Sequence, residues 1–215
     1  MSKKNSKTTG IILGSRRIKE TDKTVYIFSK EQGKIRTLAK GALKPTSKFT
    51  GNIETLNTCE LELYQGPGNL IITELKLLSS PKNIRDNYQK TEYGLLIAKL
   101  TDIMTLPNTT SQDIFNLLSQ AIKNLEETNK PLLTLAHYII NLLNILGLLP
   151  DFKNLNQKNF HTPVKEKFKK LLQYLRNSTL QEVERIALTT EETEDLKNIL
   201  KDLVHYEIDK NVMIP

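Results

Sequence analysis

A chain of 215 residues with 38% hydrophobic content is long enough for one large domain or two modest ones, and can furnish a buried core either way. Its longest apolar stretch, residues 132–149, is interrupted by His137, Asn141 and Asn144 and falls short of the ~20 apolar residues a membrane span needs. Lys3, Lys4 and Lys7 precede only Ile11, Ile12 and Leu13, against the roughly 7–15 apolar residues of a signal peptide, so a cytoplasmic protein with no membrane partner is expected. The single cysteine, Cys59, excludes an internal disulfide and fits a reducing compartment.

From residue 8 to residue 78 the pattern has period two, which predicts strands at 8–16, 23–29, 34–40, 56–64 and 69–78. Glu31-Gln32-Gly33 reads as a tight hairpin with glycine in the left-handed position, and Gln65-Gly66-Pro67-Gly68 joins the last two strands. Between Gly41 and Asn52 lies a loop broken by Gly41, Pro45 and Gly51 and charged by Lys44 and Lys48. Five short strands with one long loop after the third fit a closed barrel of the OB type, and an SH3-like barrel fits the pattern alone nearly as well.

After Ser79-Ser80-Pro81 the period changes to 3.6. Helices are predicted at 90–105, at 112–125 behind Ser111 as N-cap, and at 132–146 with Pro131 in the first turn and Gly147 at the C-cap. The last of these is apolar on most of its circumference and should be the central helix. Further helices are expected at 164–177, at 179–187 and behind Thr190, where Glu191, Glu192, Glu194 and Asp195 complement the helix dipole. The fold class is therefore α+β, with an OB-fold barrel over residues 1–80 and an all-α domain over 81–215.

No catalytic constellation stands out. There is no glycine-rich phosphate loop ending in Lys-Ser/Thr, Cys59 alternates in phase with Leu61 and Leu63 and should face the core, and His137, His161 and His205 are dispersed. No enzyme, cofactor or metal is expected. Charge is more informative. Residues 1–80 hold fourteen Lys/Arg against seven Asp/Glu, whereas the other 135 residues hold seventeen of each, so the whole +7 excess sits in the barrel. Such segregation points to a polyanion-binding module attached to a neutral one.

Alternation along the third strand puts Lys34, Arg36 and Lys40 on one face with Leu38, while Ile35, Thr37 and Ala39 point the other way. Lys44 and Lys48 continue this track, and Arg16, Arg17 and Lys19 add cations at the end of the first strand. A line of cations is what a flexible phosphodiester backbone requires, because each neutralised phosphate releases counterion. Glu60 and Glu62 give the fourth strand the opposite sign, and Tyr26 or Phe28 is a candidate for base stacking.

A family likeness rests on these residues. Gly10-Ile11-Ile12-Leu13 through Lys19-Glu20-Thr21-Asp22-Lys23, Phe28-Ser29-Lys30-Glu31-Gln32-Gly33-Lys34-Ile35, Ala39-Lys40-Gly41-Ala42 and Cys59-Glu60-Leu61-Glu62-Leu63-Tyr64-Gln65-Gly66 resemble the N-terminal half of the RecO family in order and spacing. Lys44-Pro45-Thr46-Ser47-Lys48-Phe49 and Leu142-Leu143-Asn144-Ile145-Leu146-Gly147-Leu148-Leu149-Pro150-Asp151-Phe152 are similar to the family's long loop and central helix, and the likeness spans about residues 8–210. It implies a nucleoid-associated, non-catalytic mediator that binds single- and double-stranded DNA, anneals strands, contacts single-stranded-DNA-binding protein and RecR, and helps RecA load. The alternative is an OB-fold RNA-binding or ribosome-associated adaptor. For the acidic, apolar-ended tail of single-stranded-DNA-binding protein, the helical domain is the expected dock, with Lys165, Lys167, Phe168, Lys169 and Lys170 as candidates beside Val164, Leu171 and Leu172.

One departure stands out. Many members of that family carry a four-cysteine zinc module after the Leu-Pro-Asp turn, whereas here residues 153–163 are an Asn- and Lys-rich connector without cysteine. Leu155 or Phe160 is expected to hold it against the helices. The purified protein should therefore contain no stoichiometric zinc and fold normally with chelator present, since a structural site needs four Cys or His ligands. Elemental analysis giving one zinc per chain would overturn this.

Overall fold

Alternating apolar side chains set the strands, and one irregularity lets the first of them serve two neighbours. The computed structural model describes residues 5–152 and 164–207, with the side chains of 206 and 207 outside the description. Its strands are β1 (Asn5–Arg17), β2 (Lys23–Ser29), β3 (Gly33–Ala39), β4 (Thr58–Gln65) and β5 (Leu70–Ser79). The first half of β1 pairs with β4 and the second half with β2, with a register shift between Ile12 and Gly14. A parallel step from β3 to β5, through Thr37 and Leu38 against Leu70 and Ile71, closes the barrel in the order β1-β2-β3-β5-β4. That order is the OB arrangement and not an SH3-like one.

Inside the barrel, Ile12, Val25, Ile27, Ile35, Ala39, Leu61, Leu63 and Ile72 pack around Cys59. Burial pushes the Cys59 thiol up to about 12, which keeps it an inert core group. The long loop after β3, read from the sequence as broken and basic, also contributes to the core. Its Ala42, Phe49 and Ile53 are buried in the same cluster and plug one end of the barrel.

The helices are α1 (Lys82–Arg85), α2 (Tyr88–Met104), α3 (Gln112–Glu127), α4 (Pro131–Ile145), α5 (Glu166–Asn177), α6 (Leu180–Val183) and α7 (Thr190–Glu207). Ser111 caps α3 by accepting from the Ile114 N–H, and Gly147 takes a positive φ after α4, as the sequence predicts. The unforeseen α1 exists because the Glu126 carboxylate accepts from the Asn83 and Ile84 N–H groups at 2.9 and 3.0 Å. The helix expected at 179–187 stops at Val183. Lys130 Nζ donates to the Glu184 and Ile186 carbonyls at 2.5 and 2.8 Å and holds them away from a further turn. Helix α7 starts one residue earlier than expected. Thr189 is its cap, accepting from the Glu192 N–H while Glu192 accepts from the Thr189 N–H.

Every side chain of α4 from Leu132 to Ile140 is buried, which makes it the centre of the bundle. Within it, the Tyr138 hydroxyl shares a 2.6 Å hydrogen bond with Thr101 of α2. The connector 153–163, with the expected packing of Leu155 or Phe160, lies outside the described residues. Among the described residues no helix is long and apolar enough to cross a membrane.

Barrel and helices share a core. Ile11, Leu13 and Phe28 leave the barrel's outer face to join the cluster built by α2, α3, α4, α5 and α7. Leu56 joins them by adopting φ 72°, held there by its N–H to the Ile12 carbonyl at 2.8 Å and by Ile12 N–H to the Asn57 carbonyl at 2.9 Å. It fills the space left by Gly94 of α2, where an added methyl would lie 2.6 Å from Leu56 Cδ1. Arg85 secures the same junction, donating to Asn57 Oδ1 at 2.7 Å and to Ser80 Oγ at 2.7 Å.

At the β2–β3 hairpin the α2–α3 loop lies directly on the backbone. Asn108 N–H donates to the Lys34 carbonyl at 2.8 Å, and a Cβ added at Gly33 would fall 2.0 Å from the Thr109 carbonyl oxygen. Gly33→Ala should accordingly destabilise the protein by more than about 2 kcal/mol, through left-handed strain plus forced separation of that loop. Gly51→Ala, also at positive φ but with open space around it, should cost only about 1 kcal/mol. Equal losses in chemical denaturation of the two variants would contradict a tight hairpin–loop contact.

Candidate nucleic-acid interface

Strand register decides which of the basic residues stand together. Arg16 of β1 lies opposite Thr24 of β2, which lies opposite Leu38 of β3; Tyr26 lies opposite Arg36. Ile35, Thr37 and Ala39 are buried and Arg36 and Lys40 are exposed, so the alternation read from the sequence holds. Arg16, Arg36 and Lys40 thus lie on the outward side of β1, of β3 and of the turn that follows it, with Arg16 and Lys40 at the strand ends away from the β2–β3 hairpin.

Two loops at that end are tied into one tip. Gly41 N–H donates to Asp22 Oδ1 at 2.8 Å, and Leu43 N–H donates to the Thr21 carbonyl at 2.9 Å. The Gly41 hydrogen bond holds the Asp22 carboxyl below its ordinary range. Arg17 braces the β1–β2 loop from its own side, its Nε donating to the Lys19 carbonyl at 3.2 Å. Arg16, Arg17, Lys19, Lys40 and Lys44 are all exposed here. Asp22 is the residue that sequence reasoning passed over. Its signal was the Thr-Asp pair ahead of a strand, the kind of turn chemistry that lets a side chain replace a backbone partner.

Two members of the basic track are placed elsewhere. Lys34 stands at the hairpin end, where its ammonium lies 3.4 Å from Asp102 Oδ1 and also donates to the Asp102 carbonyl of α2; its side chain is only 15% exposed. Lys48 is exposed, but its Nζ donates to the Thr73 carbonyl of β5 at 2.5 Å and lies 5.7 Å from the Phe49 ring centre. The track is therefore interrupted at both ends, and Arg36, Lys40 and Lys44 carry its exposed middle.

The stacking candidates fare differently from the cations. Phe28 is fully buried against the helices, and Tyr26 is half-buried where it packs on the same cluster, opposite Arg36. On the opposite side, Glu60, Glu62 and Glu74 share the outer face of β4 and β5 with Lys7 and Lys76. Lys7 Nζ meets Glu62 Oε1 at 2.5 Å, and this partner raises the Lys7 ammonium above its usual value.

In the helical part, the lysine patch at 165–170 is closed by its neighbours. Lys165 pairs with Asp195 at 3.0 Å and Glu191 at 3.7 Å, Lys167 pairs with Glu192, and Lys169 pairs with Glu166 at 3.5 Å. Phe168 is 2% exposed and belongs to the core. The α5 candidates are therefore mostly engaged by their own neighbours; among the described residues, Lys170 alone of the set is exposed without an ion pair. Of the histidines, His137 is buried with Nε2 3.0 Å from the Ser178 carbonyl, and burial holds its pKa below the ordinary range. His205 is exposed and His161 lies outside the described residues. Among the described residues no three His, Cys, Asp or Glu side chains converge on a point that would hold a metal.

The two classes of lysine should separate by thermal melting. Lys34→Ala should lower stability by roughly 1–2 kcal/mol, because a largely buried, charge-assisted hydrogen bond is lost at the barrel–helix junction. Arg36→Ala and Lys40→Ala, at exposed positions, should stay within about 0.5 kcal/mol of the parent. A Lys34→Ala protein that melts with the other two would place that side chain back on the open surface.

Comparison with known proteins adds a family to this geometry. Residues 1–81 match the family model described as Recombination protein O N terminal, and residues 85–155 match Recombination protein O C terminal. The DNA repair protein RecO of Thermoanaerobacter sp. (strain X514) is 28% identical over 149 residues, covering 69% of this chain and 60% of that protein. DNA repair protein RecO of Bacillus cytotoxicus is 30% identical over 146 residues, covering 68% of this chain and 59% of the relative, and that of Bacillus cereus (strain AH187) gives the same figures. The matched region spans about 60% of the length of these relatives. With the N-terminal and C-terminal models of one family matching in order, the chain belongs to the recombination protein O (RecO) family.

Proposed function

We propose that this chain is a non-catalytic DNA-binding mediator of recombinational repair, which holds strands on the basic end of its barrel, anneals them and, with RecR and single-stranded-DNA-binding protein, assists RecA loading. The observation that carries the proposal is the exposed cation group Arg16, Arg36, Lys40 and Lys44 on β1, β3 and the adjoining tip, beyond the part of the outer β1–β2 face that the helices cover and away from the carboxylate-rich β4–β5 face. The strand-two and strand-three face, with the adjoining loops, is where OB barrels take up oligonucleotides. Family names of relatives that act in DNA repair and recombination favour DNA over the RNA-binding adaptor.

Binding and annealing at two salt concentrations test this directly. The triple variant R16A/R36A/K40A should bind every single-stranded sequence more weakly and reduce the slope of log K against log salt by roughly 2, at ~0.7 per phosphate contact. Arg36→Glu should do more damage than Arg36→Ala, since reversal adds repulsion. An unchanged slope removes this face from the binding site, and tighter competition by structured RNA than by single-stranded DNA transfers the reading to the adaptor.

For the tail of single-stranded-DNA-binding protein, the helical part still offers one apolar-lined recess, of about 360 Å³, among Lys130, Leu132, Leu133, Ile186, Ala187 and Leu188. An acidic, apolar-ended peptide suits such a recess better than the internally paired lysines of α5. Titrated into the full chain, a labelled tail peptide should lose affinity for A187D, which adds a like charge at an exposed position, and keep it for K165A/K167A/K169A/K170A. The reverse result would restore the lysine patch as the docking surface.

A further inference from the structure

The basic tip of the barrel carries two exposed aliphatic side chains that nothing so far accounts for. Ile18, in the β1–β2 loop, is 44% exposed, and Leu43, in the loop after β3, is 38% exposed. They are not loose. Ile18 N–H donates to the Asp22 carbonyl at 3.2 Å, Leu43 N–H donates to the Thr21 carbonyl at 2.9 Å, and the Asp22 carboxylate takes the Gly41 N–H. Each of these bonds runs between or within the same two loops, so Ile18 and Leu43 are presented by one braced structure.

Their surroundings specify the kind of partner. The segments 16–23 and 40–44 contain Arg16, Arg17, Lys19, Lys23, Lys40 and Lys44 against only Glu20 and Asp22, and Asp22 is already engaged by Gly41. An apolar point rimmed by cations matches a stack of bases flanked by phosphates. It is too small for a stable protein interface, which needs about 800 Å² per partner. Insertion between two base pairs, by contrast, takes only one or two aliphatic side chains, with flanking cations holding the backbones on each side.

We propose that Ile18 and Leu43 form a wedge that enters the base stack of duplex DNA and opens one step, so that the tip engages duplex at the point where strands separate or join. The proposal rests on the DNA-binding reading above and adds a mechanical role at the same site. Aliphatic groups are suited to it because they displace a stacked base without offering a hydrogen bond to any particular sequence. The braced loops matter as well, since a tip ordered before contact loses little conformational freedom on insertion.

The experiment uses the full chain and duplex DNA with a single 2-aminopurine, whose fluorescence rises when it unstacks. Titration with the parent protein should give a several-fold rise. I18A/L43A should bind the same duplex within about threefold, since the cations that dominate affinity are intact, yet lose the rise. The volume-conserving variant I18L/L43I should restore it. Circular dichroism melting of all three proteins should show the same cooperative fold with midpoints within a few degrees, because both positions lie outside the buried core. Failure of the parent to bind DNA at all defeats the DNA-binding reading and the wedge with it. Salt-dependent binding without a fluorescence rise, or a rise that persists in I18A/L43A, overturns the wedge alone.

Discussion

Docking of the barrel's outer β1–β2 face onto helix α2 is the contact on which the rest of the molecule depends. An isolated barrel would expose Ile11, Leu13 and Phe28 to water; here they lie in one core with the helices. The fit is made by complementary irregularities, with Leu56 in a left-handed conformation on the barrel side and Gly94 leaving room for it on the helix side. Replacing apolar contact with water over such a surface forfeits roughly 1.5–3 kcal/mol per buried large side chain. Barrel and helices are therefore parts of one cooperative unit, and function is best dissected by point substitution in the full chain.

This docking also sorts the charges. Of the two cations on β3, Lys34 near the hairpin is drawn into the junction as the partner of Asp102, while Arg36 farther along faces solvent. The same logic explains two runs of charge in the helical part. Lys165 and Lys167 at the start of α5 meet Glu191, Glu192 and Asp195 at the start of α7, while Lys169 and Glu194 find partners within their own helices. Such exposed pairs add little to stability, but they remove those lysines from the set of open sites.

Much of this was legible in the sequence. Period-two alternation located all five strands to within about three residues and put Cys59, Leu61 and Leu63 inside. Period 3.6 found the main helices, and family motifs in the barrel pointed to the right family. What local pattern could not reveal was anything decided at long range. Period two says that Lys34 and Arg36 share a face, but not that α2 covers one of them. It marks Phe28 as a strand residue without saying that it faces the helices instead of a ligand. The loop 41–52 reads as polar and broken, although Ala42 and Phe49 close the barrel from it. Helix 179–187 has the right composition, and its last turn is lost to Lys130, about fifty residues away in the chain.

On the proposed function, the end of the barrel away from the hairpin is the DNA-binding surface and the hairpin end is a structural junction. Amide hydrogen exchange, followed with and without a saturating oligonucleotide, tests that division across the whole chain at once. Protection should appear in the β1–β2 loop at 18–22 and in the segment 36–44, and should be absent from β4 and from α5 through α7. Protection confined to the acidic β4–β5 face or to the helices, with the tip unchanged, would contradict it.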